Sequence, residues 1–283
     1  LEGKSVQIEK SLQTIIERNL EAFLGVRFLE TEYGTGPKHG GRIDTLGIDE
    51  NNCPVIIEYK RATNENIINQ GLFYIDWLLD HKAEFELLVQ KKLGKNVSEN
   101  IEWGGTRLIC IAGDYTKYDN YAVEQIDRNI ELIRYKKFAD LIMFELVNTV
   151  SGESVSEEKT KKKIKYSTVS ELLSKSSPQL KDLFELLKSF VLNLGDDVQI
   201  KELKFYYAFK KIRNFISLEI HPQNNTLVLY LSLDPKTIRL EKDFTRDVKS
   251  IGHLGTGDLE VKIRSIEDFE RAKPFIFKSY ESS

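Results

Sequence analysis

Residues 40–61 read GGRIDTLGIDENNCPVIIEYKR. Two runs rich in β-branched and aliphatic residues, RIDTLGID (42–49) and PVIIEYK (54–60), flank the turn formers ENNC, so the stretch predicts a β-hairpin. Strand parity then sorts the side chains. Ile56, Glu58 and Lys60 share one face, and Ile57 and Tyr59 the other. A carboxylate and an ammonium therefore stand together at the end of an apolar strand, and closing the hairpin about residues 50–53 brings Asp44 beside Glu58.

Two carboxylates that close repel, and one is protonated unless a cation joins them. A divalent ion with oxygen ligands resolves the conflict. Mg²⁺, or Mn²⁺, suits a site with one or two carboxylates because it keeps several waters for a substrate phosphate. The expected ligands are Asp44, Glu58 and the backbone carbonyl of Tyr59. Lys60 beside them would orient the attacking water or stabilise charge in the transition state.

Outward from the hairpin, residues 6–24 repeat apolar side chains at Leu12, Ile15, Ile16, Leu20, Phe23 and Leu24, the stripe of an amphipathic helix. Residues 26–33 read as a strand, and GTGPKHGG (34–41) as a loop. These elements and the hairpin form a three-stranded meander. Residues 64–82 return to helical spacing, 83–93 continue as a second helix, and TRLICIAG (106–113) has the apolar character of a strand buried on both faces. A helix near 121–129 and strands near 131–136 and 140–147 follow. The order implies an α/β (α+β) domain over 1–150, a mixed sheet flanked by helices. Residues 151–166 are a charged linker. Residues 167–283 form a smaller α+β domain, with a helix over 177–195, strands at 204–211, 215–222, 226–233 and 258–265, and a closing helix over 266–281 interrupted at Pro274.

The first domain resembles the PD-(D/E)xK nuclease superfamily, the restriction-endonuclease-like fold. Asp44 matches its first acidic position, and Glu58 and Lys60 its Glu-x-Lys; Ile43 stands where the motif has proline. The resemblance covers roughly residues 6–147. It implies an acidic residue on the preceding helix, for which Glu9 is the first choice and Glu17 and Glu21 are alternatives. RecB-like and archaeal single-strand-directed branches carry Gln-x-x-x-Tyr on the helix after the Glu-x-Lys strand, and Gln70 and Tyr74 reproduce it on one helical face. The implied activity is metal-dependent hydrolysis of phosphodiester bonds in DNA, single-stranded or branched, in repair, restriction or defence. The alternative is an inactive nucleic-acid-binding or protein-interaction module on the same fold, with Glu58 and Lys60 an ordinary ion pair and Asp44 a partner of Arg42 or Arg61. Such nucleases often act as homodimers, and pairing of meander edges is one route.

Elsewhere the sequence offers nucleic-acid contacts of a weaker kind. Lys38 and His39 in the glycine-rich loop, with Arg42 and Arg61, lie where a phosphate backbone would pass. In the second domain Lys204, Tyr206, Lys210, Lys211 and Arg213 interleave cations with aromatic rings, the mixture used by single-strand binders. A half-buried strand with outward lysines is the simpler reading of the same run. This domain resembles an uncharacterised module attached to nuclease-like domains and is expected to choose the substrate or a protein partner. A net charge of −3 argues against bulk electrostatic binding of duplex. No apolar run reaches the roughly 18 to 20 residues of a membrane span. Cys53 and Cys110 both lie in or beside strand-like runs, as reduced thiols of a cytoplasmic protein would.

Overall fold

The computed structural model describes residues 2–60, 67–138, 141–150, 168–251, 253 and 255–283, with the side chains of 2–9, 38, 149 and 150 excepted. Arg61 and the expected linker lie outside these residues. The chain divides into two compact units, residues 1–158 and 159–283.

The first unit begins with α1 (Glu2–Arg18) and the single turn α2 (Leu20–Leu24). The continuous helix expected over 6–24 breaks at Asn19, whose side-chain amide donates to the Ile15 carbonyl. Three antiparallel strands follow, β1 (Val26–Gly34), β2 (Arg42–Asp49) and β3 (Pro54–Lys60), the expected meander. The loop between β1 and β2 contains one helical turn, α3 (Gly36–His39). In the β2–β3 turn the Asp49 carboxylate accepts from the amides of Asn51 and Cys53, while Asn52 takes the left-handed conformation such a tight reversal needs.

Next come α4 (Ile67–Asp80), α5 (Lys82–Leu93), α6 (Lys95–Glu99), β4 (Arg107–Ala112), α7 (Lys117–Glu124), β5 (Asn129–Phe138) and β6 (Leu141–Val150). Helix α7 starts earlier than the sequence pattern suggests because Thr116 and Asp119 form a reciprocal capping box. The six strands lie in sequence order, with β3, β4 and β5 parallel and the other pairs antiparallel. Every residue of β4 is buried, as expected of a strand covered on both faces. On one face Ile56, Leu108, Cys110 and Leu132 meet Ile68, Ile75 and Leu78 of α4. Close approach of α4 to the sheet requires Gly71, where a Cβ would stand 2.4 Å from Leu108. Helix α1 packs on β2 and β3 on the other face, where Gln13 donates to the Asp44 carbonyl and to Thr31.

The second unit comprises α8 (Val169–Ser174), α9 (Pro178–Leu192), β7 (Gln199–Glu202), β8 (Tyr207–Lys210), β9 (Asn214–His221), β10 (Thr226–Leu231), β11 (Thr245–Asp247), β12 (Leu259–Ile263) and α10 (Ile266–Glu281). Its sheet is antiparallel throughout, in the order β11-β12-β10-β9-β8-β7. Leu227, Leu229 and Leu231 pack against Leu183, Leu187, Phe269 and Ile276 of α9 and α10. The strand expected over 204–211 is shorter, and α10 runs through Pro274 without interruption. Proline removes one helical hydrogen bond there, and burial of Phe269, Ala272 and Ile276 on either side holds the helix together.

Candidate active site

Regular pairing of β2 with β3 runs from Ile48↔Pro54 to Thr45↔Ile57 and stops there. Beyond it the side chains supply the bonds that the ladder would have made. The Asp44 amide donates to Glu58 Oε1 at 3.1 Å, and the Tyr59 amide donates to Asp44 Oδ2 at 3.0 Å. Each carboxylate thus takes an N–H from the opposite strand, and the two acids expected to meet do so.

Glu58 is fully buried, and its Oε2 is an orphaned oxygen with no hydrogen-bond partner. Its carboxyl is pushed up to about 9, first by burial and then by the charge of Asp44. The bond from the Asp44 amide and the charge of Lys60 pull the other way, and Glu32 adds a smaller upward push. Beside Glu58 on the parallel neighbour lies Cys110, a free and fully buried thiol pushed well up by burial and then by Glu58.

Glu32 was missed by the sequence reading. It falls between the pairs Thr31↔Thr45 and Tyr33↔Ile43, opposite Asp44, and its φ of 51° lies in the left-handed region. Glutamate there stores strain. Its carboxylate pairs with Arg42 at 2.5 Å, so Glu32, Asp44 and Glu58 occupy one row across three strands. No pattern in ETEYG distinguishes it; only the β1–β2 register places it. Among the described residues no three His, Cys, Asp or Glu side chains converge closely enough to hold a metal ion by themselves.

The helix-one glutamates separate. Glu9 lies in α1, and its side chain is outside the described residues. Glu21 is exposed. Glu17 reaches the sheet, accepting from Thr45 at 2.6 Å and from Gln13 at 3.0 Å. Thr45 also bonds the Tyr59 hydroxyl at 3.2 Å. These residues are one step out of phase with Asp44 and Glu58, so Glu17 serves the α1 face and not the face of the Glu58 carboxylate.

Gln70 and Tyr74 do come together. Gln70 Nε2 donates to the Tyr74 hydroxyl at 3.3 Å, and that oxygen also accepts from the Arg42 amide at 3.1 Å. Tyr74 is buried and so anchors the start of β2 two residues before Asp44. Arg42 itself is largely exposed, His39 is half-buried, and the Lys38 side chain lies outside the described residues.

A curated relative extends over both units: an uncharacterized protein of Haemophilus influenzae is 30% identical over 282 residues, covering 95% of this chain and 92% of its own length. The chain belongs to its family. Within the family's architecture, residues 169–283 match a domain of unknown function, DUF5655, and this match falls within the second unit. No solved structure matches the chain.

In the DUF5655 unit, the expected row of cations and rings is broken up. Tyr206 and Lys210 are buried. Lys211 stacks over Tyr280 and donates to the Ser283 carbonyl at 3.1 Å, and Arg213 donates to the Ser282 carbonyl. Two of the basic residues thus satisfy carbonyls at the C-terminal end of α10, where the helix dipole favours cations. Only Lys204 of the five is exposed. Gly255 lies against the Tyr206 ring, where a Cβ would stand 2.9 Å from it.

Proposed function

We propose that the N-terminal unit is a metal-dependent nuclease of the PD-(D/E)xK type, hydrolysing phosphodiester bonds of DNA, and that the DUF5655 unit selects its substrate or a partner. One observation carries this reading: Asp44 and Glu58 lock onto each other's strands while a buried Glu58 oxygen is left without a partner. Such an oxygen is costly by itself and is compensated by a cation. Asp44, Glu58 and the Tyr59 carbonyl are the groups that would hold Mg²⁺ or Mn²⁺. The ion, when bound, would polarise the phosphate and make a hydroxide-like nucleophile available at neutral pH.

The residues of the chain then have separate tasks. Lys60, on the strand face of Glu58, stabilises negative charge developing on the phosphoryl oxygens and holds the attacking water. Tyr74 and Gln70 fix the backbone of Arg42, and with it the position of Asp44. Arg42 meets the nucleic-acid backbone from the surface. Glu9 is the helix-one acid that the resemblance assigns to the site, and Glu17 holds Thr45 on the reverse face. Among the described residues no helix is long and apolar enough to cross a membrane; the two buried cysteine thiols fit a cytoplasmic protein, and a homodimer is compatible with the open edges of the sheet.

A second reading, a nuclease fold that binds without turnover, is favoured by the lack of a third converging acid among the described side chains. Cleavage of single-stranded, duplex and flap DNA in Mn²⁺ separates the two. Wild type is expected to cut at least one of these and Lys60→Ala to lose most of that activity. Equal background from both proteins overturns the enzyme.

A further inference from the structure

A chain of six aromatic rings leads away from the carboxylate pair. Tyr74, bonded to the Arg42 amide, contacts Phe73 at 5.7 Å between ring centroids. Phe73 contacts His39 at 6.0 Å, His39 meets His81 edge-on at 5.6 Å, His81 stacks on Trp77 at 4.5 Å, and Trp77 touches Tyr33 at 5.7 Å. The inner members are buried. Trp77 is 4% exposed, and its indole nitrogen has no hydrogen-bond partner, so stacking and packing hold it. The outer members reach solvent. Phe73 is 45% exposed, and His39 and His81 are half-buried.

A phenylalanine that open on a helix otherwise well buried on its inner side forfeits apolar burial that packing would supply. Here it is instead propped between one imidazole, that of His39, and the Tyr74 ring, and the Tyr74 hydroxyl accepts from the amide of Arg42, whose exposed guanidinium pairs with Glu32. Flat rings beside a phosphate-binding cation form the combination that takes unpaired nucleotides, because every base has a stackable face only when it is out of a duplex.

We propose that Phe73, flanked by His39 and Tyr74, is a stacking platform for an unpaired base next to the scissile phosphate. The inference rests on the nuclease reading and adds to it the form of the substrate at that point, a single strand or an extruded nucleotide. Rigid rings lose little entropy on binding, so the platform sets the strand's position as well as its affinity.

The test uses the whole chain in EDTA, a fluorescent oligodeoxythymidylate carrying one 2-aminopurine, and its duplex form. Wild type is expected to prefer the single strand and to quench the 2-aminopurine on binding. Phe73→Leu is expected to weaken binding about ten-fold, the effect of one stacked base, and to lose the quench, while Phe73→Trp restores both. Exposure of Phe73 makes these substitutions compatible with folding. Unchanged affinity and quench in Phe73→Leu, no binding by wild type, or a duplex bound as tightly as the single strand, each overturns the platform. Wild type that binds and quenches yet never cleaves in Mn²⁺ upholds the platform while ending the nuclease reading; cleavage of single strands undiminished by Phe73→Leu does the reverse.

Discussion

Asp44 and Glu58 are joined through the backbone and not through their charges: the Asp44 amide donates to Glu58 Oε1, and the Asp44 carboxylate accepts from the amide that follows Glu58. The arrangement holds two acids together at the point where the β2–β3 ladder ends. A cation placed there would bind the folded chain and not the unfolded one. Melting in Mg²⁺ or Mn²⁺ is therefore expected to rise, by about 2 to 4 °C for each kcal/mol of linkage in a unit of this size. Asp44→Ala should abolish the shift. A wild-type melting temperature indifferent to both ions would remove the metal site.

The raised Glu58 carboxyl makes a pH prediction with a definite sign. Folded Glu58 titrates near 9, against 4.5 for an ordinary glutamate, so between those values the folded chain holds a proton that the unfolded chain does not. Stability from this group is complete below about pH 4.5 and is lost as pH rises toward 9. With chelator present, Glu58→Gln should flatten that decline and exceed wild type near pH 8 by at least about 1 kcal/mol. Denaturant titrations at pH 5 and pH 8 measure it; parallel pH profiles for the two proteins would contradict the buried, neutral carboxyl.

Tyr74 is wedged against Gly41, where a Cβ would stand 2.7 Å from the tyrosine ring and 3.1 Å from the Thr35 hydroxyl oxygen. Gly41→Ala is expected to push Tyr74 off the Arg42 amide and to cost about 1 to 3 kcal/mol, as overpacking does. Tyr74→Phe removes only the acceptor and should cost about 1 kcal/mol. Both should lower any DNA cleavage, which nuclease assays beside chemical denaturation would register.

At the other end of the same sheet, Arg107 is buried between Asp49 at 3.3 Å and Glu131 at 2.7 Å. Removing the cation leaves two carboxylates inside the protein, so Arg107→Ala is expected to cost about 3 to 5 kcal/mol. Hydrogen exchange should report the loss across β3, β4 and β5 and leave the DUF5655 unit's protection unchanged. Loss of less than about 1 kcal/mol would mean that the trio is solvated in solution.

Period-two patterning made the meander and the meeting of Asp44 with Glu58 legible, because both depend on neighbours along one hairpin. Gln70 and Tyr74 were legible for the same local reason, a single helical turn. Glu32 was not, since its position depends on how β1 registers against β2 around a left-handed residue. Arg107 was hidden too: TRLICIAG reads as an apolar strand, and its charged partners come from Asp49 and Glu131, far along the chain in both directions. In the DUF5655 unit, Lys211 and Arg213 look like a basic surface until α10 folds back to offer them its last carbonyls. Local periodicity carries secondary structure and nearby contacts; burial of a charge is decided by the whole fold.

Where a sheet's own carbonyls hold an amide, its exchange with deuterated water records only how often the strands part. The amides of Asp44 and Tyr59 are held by carboxylates instead. Their exchange rates follow whatever competes for those oxygens, a proton or an ion, so the protein carries two isotopic gauges of its own site, readable without any substrate.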